Sequence, residues 1–145
     1  MGYNFKTHRE VRLLLVEDAF PDVQLFLSCL ADSADIVVAR TGTEAFDRVF
    51  RRGVFASEPL PDLIVLDLNL PLLTGHELLN AVKGHSATLH IPVIVWSGSE
   101  YPADITKAYE LGACAYLLKV PSLSDMEVTL KAFAEFWLHH VLYRA

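Results

Sequence analysis

Five short apolar runs, each followed by a stretch of helical periodicity, constrain this chain more than any other feature. The runs are Val11–Val16, Ile36–Ala39, Leu63–Asp67, Pro92–Trp96 and Ala115–Leu118. Continuous apolar residues without polar alternation predict strands buried on both faces, as in a parallel sheet with helices above and below. Pro92 fits only as the first residue of its strand, because it has no N–H for the ladder.

The intervening stretches read as helices. Pro21, near a helix start, precedes Val23, Phe26, Leu27 and Leu30 at i, i+3, i+4, i+7 spacing. Thr43 is the predicted N-cap of a second helix that turns Ala45, Phe46, Val49 and Phe50 inward and stops at Gly53. Residues 54–62 hold two prolines and predict a loop. The loop Leu70–Gly75 leads into a third helix through about Lys83, built on Leu78, Leu79 and Val82. A fourth covers roughly Pro102 to Leu111 and ends at Gly112. The last opens with Ser124-Asp125-Met126-Glu127, an S-x-x-E capping box, and runs to about Leu142. Five strand–helix alternations with right-handed crossovers predict an α/β fold: a five-stranded parallel sheet with helices on both faces. With 145 residues, one domain is expected over 1–145, its core about 11–140 behind a short polar segment, 1–10.

The bulk numbers exclude several classes. A hydrophobic content of 52% with 21% charged residues suits a packed core rather than disorder. A net charge of −6 argues against nucleic-acid binding, which needs a basic surface. No apolar run approaches the roughly 18 residues that span a membrane. The start, Met1 to Glu10, lacks a signal peptide's apolar core, and Lys6 stands where myristoylation needs Ser or Thr. Cys29 and Cys114, far apart in sequence, predict free thiols in a reducing cytosol. The expected location is cytoplasmic.

Four of the five strands end in a functional group: Glu17-Asp18, Asp67, Ser97 and Lys119. Side chains at the carboxyl ends of parallel strands point into the crevice where ligands bind. Three carboxylates meeting there repel one another unless a cation sits among them, which asks for a hard ion such as Mg²⁺. The set suits phosphoryl transfer to a carboxylate. Asp67 would be the nucleophile, and Asp18, Asp67 and a backbone carbonyl would hold Mg²⁺. Glu17, one methylene longer than Asp, would act through a metal-bound water. Lys119 would meet a phosphate oxygen as a point charge, and Ser97 would donate a hydrogen bond to another.

These residues resemble the receiver domain of two-component response regulators. The pieces that carry the resemblance are Leu15-Val16-Glu17-Asp18, Leu66-Asp67-Leu68-Asn69-Leu70-Pro71 with Gly75, Val95-Trp96-Ser97-Gly98 and Tyr116-Leu117-Leu118-Lys119. Ser97 and Lys119 follow Asp67 by 30 and 52 residues, similar to the chemotaxis-type single-domain regulators. The resemblance implies a (βα)5 flavodoxin-like receiver fold and phosphate transfer to Asp67 from a sensor histidine kinase. It makes Asn69 the donor of a main-chain carbonyl to the metal. It also implies a switch in which Ser97 turns toward the phosphate and Tyr116 moves inward. The Leu-Asn-Leu-Pro segment and the Glu135-Phe136-Trp137-Leu138 ending resemble stand-alone regulators paired with bacterial and cyanobacterial phytochromes. Two residues depart from the family pattern: Val120 separates Lys119 from Pro121, and Trp96 precedes Ser97, where it could report on ligand binding by fluorescence.

The last helix carries apolar residues on more than one side, including Phe133, Phe136, Trp137 and Val141. Such residues predict a partner face, and the resemblance implies a homodimer through the fourth helix, fifth strand and last helix. His139-His140 point about 100° apart on a helix and read as a solvated pair. No output domain follows, so the signal is expected to leave through a protein effector or a phosphotransfer protein. Two alternatives compete. An aspartyl-phosphate phosphatase normally needs Asp-x-Asp, whereas Asp67-Leu68-Asn69 supplies an amide. A receiver-like module that never carries phosphate usually lacks the acid pair, the nucleophile or the lysine, and this chain keeps all of them.

Overall fold

The computed structural model describes residues 10–144, so the rest of the polar segment 1–10 lies outside the described residues. Five parallel strands form one sheet in the order β2-β1-β3-β4-β5. They are β1 (Arg12–Val16), β2 (Asp35–Ala39), β3 (Leu63–Leu66), β4 (Val93–Ser97) and β5 (Ala115–Leu118). The helices are α1 (Phe20–Leu30), α2 (Gly42–Val49), α3 (Gly75–Lys83), α4 (Pro102–Glu110) and α5 (Leu123–Ala134). No described helix is long and apolar enough to cross a membrane.

Alternate strand residues feed two core layers. Leu14, Val16, Ile64, Leu66, Val93 and Val95 pack with Leu78, Leu79 and Val82 of α3. Leu13, Leu15, Leu63, Val65, Ile94 and Trp96 pack on the other face with Phe26 of α1 and Met126, Leu130 and Phe133 of α5. Every residue of β3 is buried, as its unbroken apolar run predicts.

Several boundaries differ from the sequence expectation, each for a local reason. Thr41, not Thr43, caps α2: its side chain accepts a hydrogen bond from the Glu44 N–H at 3.0 Å. Thr43 lies inside the first turn. Gly53 does not stop that helix, which is capped at Phe50. Arg51 takes the left-handed conformation (φ 55°), and Gly53 opens a separate 3-10 turn, Gly53–Phe55. Ser122 caps α5 by accepting from the Asp125 N–H, so Ser124-x-x-Glu127 is not the capping box. The helix begins directly after Pro121. Its far end is a π-helical turn, Glu135–His140, and Val141 leaves with extended backbone, short of the expected Leu142. A capping box does form at α3, where Thr74 and Glu77 exchange hydrogen bonds. Pro92 lies just before β4, and its carbonyl accepts from the Ile64 N–H at 3.0 Å.

The loop after β3 is held by two glycines. A Cβ on Gly42 would overlap the Leu73 carbonyl oxygen, and one on Gly75 would overlap the Asp67 carbonyl oxygen and the Leu68 Cα. Backbone therefore packs directly on backbone on both sides of the segment that follows Asp67.

Candidate functional site

The polar residues at the strand ends continue the sheet's ladder by one step. Glu17 N–H donates to the Ala39 carbonyl and Asp67 N–H to the Val16 carbonyl, each at 3.0 Å, and Lys119 N–H donates to the Ser97 carbonyl at 2.8 Å. Backbone geometry thus pins the bases of these side chains to one rim, although they come from four strands.

Their charged ends converge. The Lys119 ammonium lies 2.7 Å from a Glu17 oxygen, 2.9 Å from an Asp22 oxygen and 3.4 Å from Asp67 Oδ2. Glu17 is 0% exposed and Asp67 5%. Asp67 Oδ1 accepts the Asn69 N–H at 3.3 Å, so its two oxygens face different partners. Burial is the largest influence on Glu17 and pushes its carboxyl up from 4.5 to about 7. The Lys119 hydrogen bond opposes that shift, and the Asp67 charge adds to it. Burial likewise acts most strongly on Lys119, downward, yet the hydrogen bonds it donates to Glu17 and Asp22 and the Asp67 and Glu17 charges together outweigh it and raise its pKa. The Glu17 carboxyl is lifted toward neutrality mainly because it is taken out of water, even with a lysine beside it.

The donor set fits a hard divalent ion. Glu17, Asp18 and Asp67 each bring a carboxylate oxygen within 4.8 Å of the others. All three ligands are oxygen, the kind that Mg²⁺ and Mn²⁺ favour. Such an ion would favour the charged form of these carboxylates.

Ser97 is fully buried, and its Oγ accepts the Ser99 N–H at 3.2 Å. The Tyr116 hydroxyl donates to the Ser99 carbonyl at 2.8 Å, and the Ser99 hydroxyl donates to an Asp104 oxygen at 2.5 Å. Ser99 therefore joins Ser97, Tyr116 and α4 in one hydrogen-bonded chain.

One residue of the site was not anticipated. Asp22 sits in the first turn of α1, and its only signal was an acid following Pro21. Trp96, expected as a fluorescence reporter of ligand binding, lies with its ring centre 4.8 Å from the Lys119 ammonium. Its indole N–H is buried without a hydrogen-bond partner.

On the last helix the expected partner residues separate. Phe133 is 5% exposed, with its ring 6.2 Å from that of Phe26, so it belongs to the core and not to a partner face. The α1–α5 packing claims that side of the helix. Phe136 is 56% exposed, and Trp137 and Val141 are half-buried. His140 pairs with Glu135 at 3.0 Å. Cys29 and Cys114 are free thiols.

The family model described as the response regulator receiver domain matches residues 13–131. The chain is 34% identical over 132 residues to response regulator Rcp1 of Synechocystis sp., covering 89% of this chain and 90% of that one. The phosphorylated cyanobacterial phytochrome response regulator RcpA superposes with a TM-score of 0.91 at 35% identity, covering 94% of this chain and 100% of that one. The Mn²⁺-bound form of Rcp1 gives a TM-score of 0.90 at 33% identity, over 93% and 99% of the two chains. Sheet order, rim chemistry and these similarities agree: the chain belongs to the response regulator receiver domain family.

Proposed function

We propose that this receiver accepts a phosphoryl group from a sensor histidine kinase onto Asp67, in a Mg²⁺-dependent reaction, and thereby switches its protein-binding face. The observation that carries this reading is the meeting of Glu17, Asp18, Asp67 and Lys119 at one rim. Asp67 supplies the attacking oxygen. The bond from the donor nitrogen to phosphorus breaks as the bond from Asp67 to phosphorus forms. Asp18, Asp67 and the Asn69 main-chain carbonyl would hold the metal directly, with Glu17 acting through a water. Mg²⁺ when bound supplies charge neutralisation at the transferring group. Lys119 and Ser97 meet two phosphoryl oxygens.

The switch follows from the Ser99 chain. When Ser97 turns to the phosphoryl group it releases the Ser99 N–H, which loosens the residue whose carbonyl holds Tyr116. Tyr116 then moves inward, and the α4–β5–α5 surface changes with it.

Likeness to RcpA over nearly the whole chain supports a bacteriophytochrome-type kinase as the phosphate source. The exposed Phe136, with Trp137, Val141 and the exposed Val128 of α5, supports a homodimer face. A downstream effector or phosphotransfer protein receives the signal, and the free thiols fit a cytoplasmic setting.

Incubation with acetyl phosphate and Mg²⁺ tests the reading. Intact mass should show one phosphoryl group, lost in Asp67→Asn and on removing Mg²⁺. Labelling that persists in Asp67→Asn overturns it. Light-scattering mass with and without beryllofluoride tests the dimer.

A further inference from the structure

The Lys119 ammonium has two cationic roles to reconcile. It must stand beside Asp67, yet two of the three carboxylates it touches, Glu17 and Asp67, belong to the cluster that would hold a divalent ion. Its base is fixed by the bond from Lys119 N–H to the Ser97 carbonyl, but a lysine's four-carbon stem is flexible. The place of the charge is therefore set by its acceptors.

Asp22 is the acceptor that does not belong to the metal cluster. Its carboxylate reaches the ammonium from α1 at 2.9 Å, while the three clustered acids are Glu17, Asp18 and Asp67. It does not cap its helix: α1 has no side-chain cap bond. Instead, the first turn after Pro21 aims it at the rim. The Trp96 ring, with its centre 4.8 Å from the ammonium, adds a further contact.

We propose that Asp22 is a positioning residue for phosphoryl transfer: through its ion pair it draws the Lys119 ammonium toward α1, leaving Glu17 and Asp67 to a divalent ion and the ammonium free to meet a phosphoryl oxygen. This rests on Asp67 as the phosphoacceptor. Without Asp22, the ammonium has only Glu17 and Asp67 as strong acceptors. It then competes with the metal and masks the nucleophile. With Asp22, one of the three ammonium donors stays occupied on the α1 side through the whole reaction.

A double-mutant comparison tests this with two readouts: Mg²⁺ affinity from Trp96 emission in a Trp137→Phe background, and the rate of labelling by acetyl phosphate at saturating Mg²⁺. Asp22→Asn should weaken Mg²⁺ binding several-fold and slow labelling roughly tenfold, the scale of a misplaced reacting group. Asp22→Glu should recover most of both. In a Lys119→Ala background, Asp22→Asn should add nothing to either, because the effect passes through the ammonium. The proposal is overturned if Asp22→Asn matches the parent, or if its Mg²⁺ defect is as large without Lys119, which would mean the Asp22 charge acts directly on the ion. Failure of the parent to label would instead overturn the role of Asp67, and the Mg²⁺ arm would still decide the role of Asp22.

Discussion

The Trp96 indole lies beneath the charge that serves the rim, its ring centre 4.8 Å from the Lys119 ammonium. A cation over an aromatic face is worth about 0.5–2 kcal/mol, more when water is excluded. Trp96 is 1% exposed, so its side of the contact is shielded from water.

Any event that moves the ammonium should therefore alter Trp96 emission. With Trp137→Phe removing the other tryptophan, beryllofluoride with Mg²⁺ should change the emission, and Lys119→Ala should reset its baseline. An unchanged spectrum in a sample whose intact complex mass shows bound beryllofluoride would sink the prediction.

Glu17 predicts an unusual dependence on pH. Its carboxyl is pushed from 4.5 to about 7, chiefly by burial, so the folded protein holds that proton more tightly than the unfolded chain does. Its contribution is fully present below the unfolded value and is lost as pH rises through about 7. At about 1.4 kcal/mol per pH unit, the ceiling is near 3 kcal/mol. In Mg²⁺-free buffer, urea unfolding should show falling stability from pH 5 to pH 8, and Glu17→Gln should flatten the curve. Saturating Mg²⁺ should add more stability at pH 8 than at pH 6. Parallel profiles for the parent and Glu17→Gln would contradict this.

Gly42 sits far from Asp67 in sequence but braces the loop that follows it. Gly42→Ala drives a methyl group into the Leu73 carbonyl. Overpacking of this kind costs about 1–3 kcal/mol. We expect a lower urea midpoint together with slower acetyl phosphate labelling, whereas Gly53→Ala, with nothing near its Cβ, should leave the labelling rate unchanged.

Phe133 and Phe136 should behave oppositely. Phe133→Ala empties a core site and should cost about 3–5 kcal/mol in unfolding free energy. Phe136→Ala should leave stability nearly unchanged but lower the light-scattering mass toward that of a monomer. A dimer that survives Phe136→Ala would move the interface elsewhere.

Much of the fold was legible because buried parallel strands need unbroken apolar runs, and such runs can be read without knowing their neighbours. Leu63–Leu66 is the plainest case. Helix ends were less legible. Thr41 and Thr43 are both capping residue types, and only the path of the chain out of β2 selects between them. The faces of the last helix were not legible either, because Phe133 and Phe136 are chemically identical and only the docking of the helix against α1 and the sheet decides which is buried.

By itself the sequence determined five apolar strands, four of them ending in a polar functional group, and so placed Glu17, Asp18, Asp67, Ser97 and Lys119 at one rim of a parallel sheet. Spacing along a single chain carries that information, since strand direction fixes which end meets water. Only the tertiary structure decided what surrounds them. Asp22 on Lys119, Trp96 under it, Ser99 between Ser97 and Tyr116, and Gly42 against Leu73 are contacts between segments distant in sequence or turned by a loop. Their existence depends on how helices dock on the sheet, and docking is set by the summed packing of the two cores rather than by any local pattern.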